Sequence, residues 1–226
     1  MEPFRMRFFY IALPLLCFFT SCGRNQSDEI SSRFHDDGRA KPIVAIVPIF
    51  DRSGSFIPWN LSEELTSTIE KRLSRRANIF LMDEERIDTA IAHLNESHHP
   101  FGKNLEWTQN VFKGNEFVVF MELVTHQLTP HENEITIEEK KDPTLTLDLT
   151  MRIRVIDLRS DTPKVILQEL ITQSHHIPKL LSHIDYTKNS WGKMSYNLTP
   201  YALSHSQFTR EISKRLEDYI LLAKSK

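Results

Sequence analysis

The chain has 226 residues, with 28 Lys and Arg against 30 Asp and Glu and a formal net charge of −2. So even a balance excludes the strong basic field that nucleic acid or an anionic membrane surface would select. With only two cysteines and 40% hydrophobic residues, the sequence reads as a globular body held by its core, not by disulfides.

Arg5 and Arg7 precede an apolar run from Phe8 to Phe19, which Thr20-Ser21-Cys22 closes. Basic, then apolar, then small residues is the order of an export signal. The apolar run is roughly a dozen residues against about 20 for a spanning helix, so cleavage suits it better than permanent insertion. Thr20-Ser21-Cys22 resembles the lipobox of bacterial lipoproteins, with Phe19 where that family usually has Leu. The resemblance implies removal of residues 1–21 and acylation of Cys22, both on sulfur and on the new terminal amine. The alternative is an ordinary secretory signal in which Cys22 is incidental. Two or more acyl chains anchor a protein stably, at about 0.8 kcal/mol per buried methylene. Gly23 stands where the family places an Asp for inner-membrane retention, so the resemblance implies the outer membrane, facing the periplasm. Residues 22–41 are polar, with Ile30 and Phe34 as the large apolar side chains, and read as a lipidated flexible tether. A single domain is expected over residues 42–226.

Ile43 to Phe50 is a short apolar run rich in β-branched residues, which suits a strand buried on both faces. Asp51-Arg52-Ser53-Gly54 follows as a turn. Asn60 stands three residues before Glu63, a capping arrangement, and Leu61, Leu65, Ile69 and Leu73 mark one face of a helix ending near Arg75-Arg76. Ile79 to Met82 predicts a brief strand. Asp83-Glu84-Glu85 then opens a helix with Ile87, Ala90, Ile91 and Leu94 inward. After a loop over Asn95 to Lys103, a short helix with Leu105, Thr108, Val111 and Phe112 inward stops at Gly114. Phe117 to Leu123 predicts a third strand, with an extension to Leu128, and Thr129 to Lys141 a polar connection.

The clearest strand alternates Leu145, Leu147, Leu149, Met151, Ile153 and Val155 with Thr146, Asp148, Thr150, Arg152, Arg154 and Ile156. One face should pack on helices and the other meet water or a partner. Lys164 to Thr172 reads as its antiparallel neighbour, and Gln173 to Leu198 as a long loop with Trp191 near its centre. Thr199-Pro200 caps a last helix with Phe208, Ile212, Leu216, Tyr219, Ile220 and Ala223 along one stripe. The expected fold is α/β, a mixed sheet of about five strands with helices mainly on one face.

The run Ile43–Phe50 with its Asp51-Arg52-Ser53-Gly54 turn, the helix Asn60–Arg75, the strand Ile79–Met82 and the Asp83-led helix resemble a lipoprotein superfamily. It includes the activators of penicillin-binding proteins, the curli secretion lipoprotein and the N-terminal domain of the Tol–Pal β-propeller protein. The resemblance covers roughly residues 42–128 in detail and the later strands and last helix by order. It implies a non-enzymatic envelope protein whose partner is a peptidoglycan synthase or a transport assembly. One branch forms an oligomeric secretion pore through membrane-inserting hairpins, for which 145–155 is the one candidate strand.

Sites of chemistry are sparse. Six scattered glycines leave no phosphate loop, no G-x-S-x-G elbow occurs, and loss of Cys17 with acylation of Cys22 leaves no thiol nucleophile. Among ten histidines, His98-His99 and His175-His176 could bind zinc in a metal-dependent hydrolase. Neighbouring side chains of a strand point apart, however, and solvated loop histidines are the simpler reading. No catalytic residue, metal or cofactor is therefore expected. Trp59 and Trp107 read as core or its edge. Asp148, Arg152, Arg154 and Trp191 are the candidate partner-binding residues beside the lipid site Cys22.

Overall fold

The computed structural model describes residues 31–92, 94, 98–130, 144–183, 185 and 188–226. The signal segment, Cys22 and the first part of the expected tether lie outside the described residues. Two compact units divide the chain at Lys41/Pro42. In the first, Phe34 and Ala40 form an antiparallel bridge around a turn, where Asp37 accepts hydrogen bonds from the Arg39 backbone and guanidinium.

In the second unit, β1 (Ile43–Ile46) lies parallel to both β3 (Phe80–Leu81) and the start of β4 (Phe117–Pro130). Val44, Ala45, Ile46 and Val47 are all at most 1% exposed, as a strand covered on both faces must be. Pro48 has no N–H to donate, so the ladder breaks there. The expected single strand over 43–50 is therefore two, and β2 (Phe50–Asp51) pairs with β4 further along, Phe50 opposite Glu122. β4, β5 (Thr144–Asp157) and β6 (Lys164–Pro178) form a long antiparallel meander, so the order across the sheet is β3-β1-β4-β5-β6. The sheet is mixed and six-stranded, one strand more than the pattern suggested.

Two long helices cover one face. Helix α1 (Leu61–Arg76) starts where Asn60 Oδ1 accepts from the Glu63 amide and ends at Ala77 in the left-handed region. After α2 (Glu84–Ile91), α3 (Glu106–Val111) and the single turn α4 (Lys179–Ser182) comes α5 (Pro200–Lys224), capped by Thr199 accepting from the Ala202 amide. Leu65, Ile69 and Leu73 of α1 and Phe208, Ile212, Leu216 and Ile220 of α5 form one core with Val44 and Ile46 of β1, Phe117, Val119, Met121 and Leu123 of β4, and Leu147, Leu149, Met151, Ile153 and Val155 of β5. The two helices are tied by Glu217, which accepts from Arg76 and from Asn78 Nδ2. The short helices α2 and α3 cover only the opposite face near β1, where Ile87, Trp107 and Phe112 meet Val118, Phe120 and Ile156.

Candidate functional site

Beyond that small second core, the face of the meander turned away from α1 and α5 carries polar side chains. Strand register sets Thr125, Thr150 and Thr172 in one row, and Gln127, Asp148 and Ser174 in the next. Thr129, Thr146 and His176 make a third. Asp148 is the hub, accepting from Ser174 Oγ at 2.6 Å and Thr129 Oγ1 at 3.2 Å, while Thr150 and Thr172 hydroxyls meet at 3.2 Å. Glu122, Arg152 and Leu170 continue the lattice, with Arg152 paired to Glu122 at 3.0 Å and Leu170 57% exposed. Short hydroxyls bonded across strands give a flat surface with few flexible side chains to order on docking.

Of the residues expected there, Asp148 and Arg152 lie on this face and Arg154 does not remain open. The residue is 7% exposed, and its guanidinium donates to the Pro100 and Gly102 carbonyls at 2.9 and 2.7 Å and to Gln168 Oε1. It also sits over the Phe101 ring, 5.5 Å from its centroid. Arg154 is thus a clamp for the 98–102 loop, because a buried guanidinium must find acceptors for its several donors. Trp191 lies in the segment between α4 and α5 and is partly buried. His175 and His176 lie in β6, which runs to Pro178 where a loop was expected, and they face opposite sides of the sheet. His98 packs edge-on against Trp107, and His99 Nδ1 accepts from the Phe101 amide. Among the described residues no three His, Cys, Asp or Glu side chains come together as a metal-binding group. No helix of the described residues is long and apolar enough to cross a membrane.

Beneath the opposite face lies a buried polar line that no single stretch of sequence announces. A bulge at Val124 shifts the register of β4, so that His126 faces inward opposite Leu149. His126 Nδ1 meets Ser55 Oγ at 2.9 Å and its Nε2 meets His205 Nε2 at 2.9 Å. His205 Nδ1 lies 2.9 Å from Glu64 Oε1, which also accepts from the Tyr196 hydroxyl at 2.6 Å. Glu64 Oε2 takes the Trp59 indole N–H at 2.8 Å, and Trp59 stacks edge-on against Tyr196. One assignment satisfies every donor. Ser55 donates to His126, His126 to His205, and His205, Tyr196 and Trp59 to the Glu64 carboxylate.

Burial pushes the Glu64 carboxyl up, but the hydrogen bond and charge of His205, then Tyr196 and Trp59, outweigh it and hold the group below its usual value. His126 is pushed down to about 4, by burial first and then by His205. The line joins the loop after β2, α1, β4, α5 and the 194–198 turn through satisfied buried polar groups.

These features define an α/β domain with a three-stranded antiparallel extension that is packed on one face and polar on the other. The chain belongs to the family of unknown function DUF7499, whose model matches residues 30–224. The solved structure of the hypothetical protein CT253 from Chlamydia trachomatis is similar at 26% identity with a TM-score of 0.62, covering 80% of this chain and 98% of that one. Lipoprotein GNA1162 from Neisseria meningitidis is similar at 14% identity and a TM-score of 0.41, over 63% of this chain and 87% of that one. The LpoB C-terminal domain from Escherichia coli is similar at 12% and 0.35, over 66% and 95%. No protein of curated function matches the chain at a significant level.

Proposed function

We propose that this chain is an envelope lipoprotein, anchored through acylated Cys22 in the outer membrane, whose domain acts as a non-enzymatic binding or accessory protein. The observation that carries the reading is the meander itself. Its inner face is packed on α1 and α5 over most of its length, while Gln127, Leu170, Thr172, Ser174 and His176 on its outer face are exposed. A protein builds an ordered lattice of hydroxyls around Asp148 at some cost in side-chain entropy, and a flat docking surface makes use of that order. The partner is an envelope protein, by the superfamily resemblance a peptidoglycan synthase or a transport assembly.

The anchor is tested by mass spectrometry of the mature N-terminal peptide and by fractionation of Cys22→Ala. A triacylated Cys22 and release of the variant from membranes support the reading; an unmodified Cys22 in a soluble chain contradicts it. Sedimentation in detergent separates the accessory protein from a secretion-pore subunit. A monomer or small complex agrees with the proposal, and a large uniform ring overturns it.

A further inference from the structure

A second feature lies on the flank of the sheet, between β6 and α5. The β6 residues that face α5 are apolar at Leu167, Ile171 and Ile177, but polar at Glu169, Gln173 and His175. Where the apolar stripe is interrupted, strand and helix leave a cleft of about 350 Å³, lined by Gln173, Ser174, His175, Gln207, Arg210 and Glu211.

Its charges are unevenly satisfied. Glu211 is already paired with Arg215 at 2.8 Å, and Arg215 also holds Glu169. Arg210 has no ion pair or hydrogen bond among the described residues, so its guanidinium is free to turn to a ligand. Arg72 lies nearby and donates to the Ser206 carbonyl and hydroxyl; burial first, and then Arg210, hold its guanidinium below the usual range. His175 Nε2 is shut off from water and has no partner among the described residues. The uncommitted guanidinium and the two amide side chains form a set of donors open to an acceptor, beside a His175 ring whose buried Nε2 is unsatisfied.

We propose that this cleft binds an anionic oxygen group, a carboxylate or a phosphate, with Arg210 as its charge partner and Gln173 and Gln207 as hydrogen-bond donors. A guanidinium fork presents two parallel N–H groups to either kind of group. Burial first, and then His205 and His176, hold the His175 imidazole below its ordinary value, and a bound anion would oppose that shift. The cleft is larger than one such group, so the ligand would carry it on a small molecule or on a side chain of a partner.

The test is titration of the full chain with inorganic phosphate, sulfate and acetate at constant ionic strength, reading the His175 ring signals by NMR. Saturable shifts are expected with at least one of these probes. Phosphate or sulfate alone would mark a phosphate-type site, and acetate a carboxylate site. Arg210→Gln should weaken binding about tenfold or more with unchanged thermal unfolding, since the side chain is exposed. Lys214→Gln removes the same charge from the same helix outside the cleft and should leave binding intact. No saturable shift with any probe, or equal weakening in the two variants, would overturn the proposal.

Discussion

His126 Nε2 lies 2.9 Å from His205 Nε2, so one proton serves both imidazoles. That meeting depends on a single extra residue. Without the bulge at Val124, His126 would fall on the open face with Thr125 and Gln127 taking the inward positions. Val124 instead turns outward, 36% exposed, and His126 joins the core.

Glu64 and His205 should be strongly coupled. Removing one member of a buried, hydrogen-bonded ionisable pair leaves the other uncompensated, a loss of about 3–5 kcal/mol. Glu64→Gln and His205→Ala are each expected to lower urea stability on that scale, with the double variant well short of the sum. Strict additivity would show that the two do not act as a unit.

Acid should weaken the domain through His126. Its folded value, about 4, lies below the ordinary 6.5, so the unfolded chain takes the proton more readily. Its contribution is complete above about 6.5 and is lost as pH falls toward 4, on the order of 3 kcal/mol in all. Glu64, also held low, acts in the same direction. Denaturation midpoints of His126→Gln should vary less between pH 7 and pH 4 than those of the native chain.

Glu70 should act in the opposite sense. Burial first, then Glu84 and Asp88, raise its carboxyl to about 7. The folded chain therefore holds that proton more tightly than the unfolded one, and stability from this group is present below about 4.5 and lost as pH rises through 7. Glu70→Gln is expected to stabilise the protein by on the order of 1 kcal/mol at pH 8, after allowance for solvent screening, and by nothing near pH 4. A constant difference across that range would locate the effect elsewhere.

Arg154→Met should loosen one loop and spare the rest. Loss of its bonds to Pro100, Gly102 and Gln168 is expected to cost about 1–3 kcal/mol. Hydrogen exchange should quicken at Phe101 to Lys103 and stay unchanged in the β5–β6 ladder. Equal protection of the loop in both proteins would contradict the clamp.

Much of this fold is legible in the sequence because the signals are local. Asn60 and Thr199-Pro200 mark their helix starts, and the alternation over 145–155 marks β5 and its inward face. β6 reads as ending at Thr172 because Gln173 and His175 break the apolar period just where the cleft forms. Arg154 looks like its neighbour Arg152, and both sit over Phe101, but only Arg154 meets the Pro100 and Gly102 carbonyls while Arg152 pairs with Glu122. The Glu64–His205–His126 line gathers residues 62 to 141 positions apart. Its one local trace is a charged or polar side chain within an apolar helix stripe, Glu64 beside Leu61 and Leu65, His205 between Tyr201 and Phe208. The bulge that completes it leaves no mark in composition or period.

The proposed docking of a partner on the polar face of the meander, with the lipid holding the domain in place, is put to the test by photo-crosslinking in intact membranes. The probe replaces Thr172 on that face or Lys214 on α5, in the native chain and in Cys22→Ala. One dominant envelope protein captured from position 172, absent from position 214 and reduced on loss of the anchor, is the expected result. Equal capture from both positions, or a ladder of self-crosslinks with no foreign partner, would contradict it.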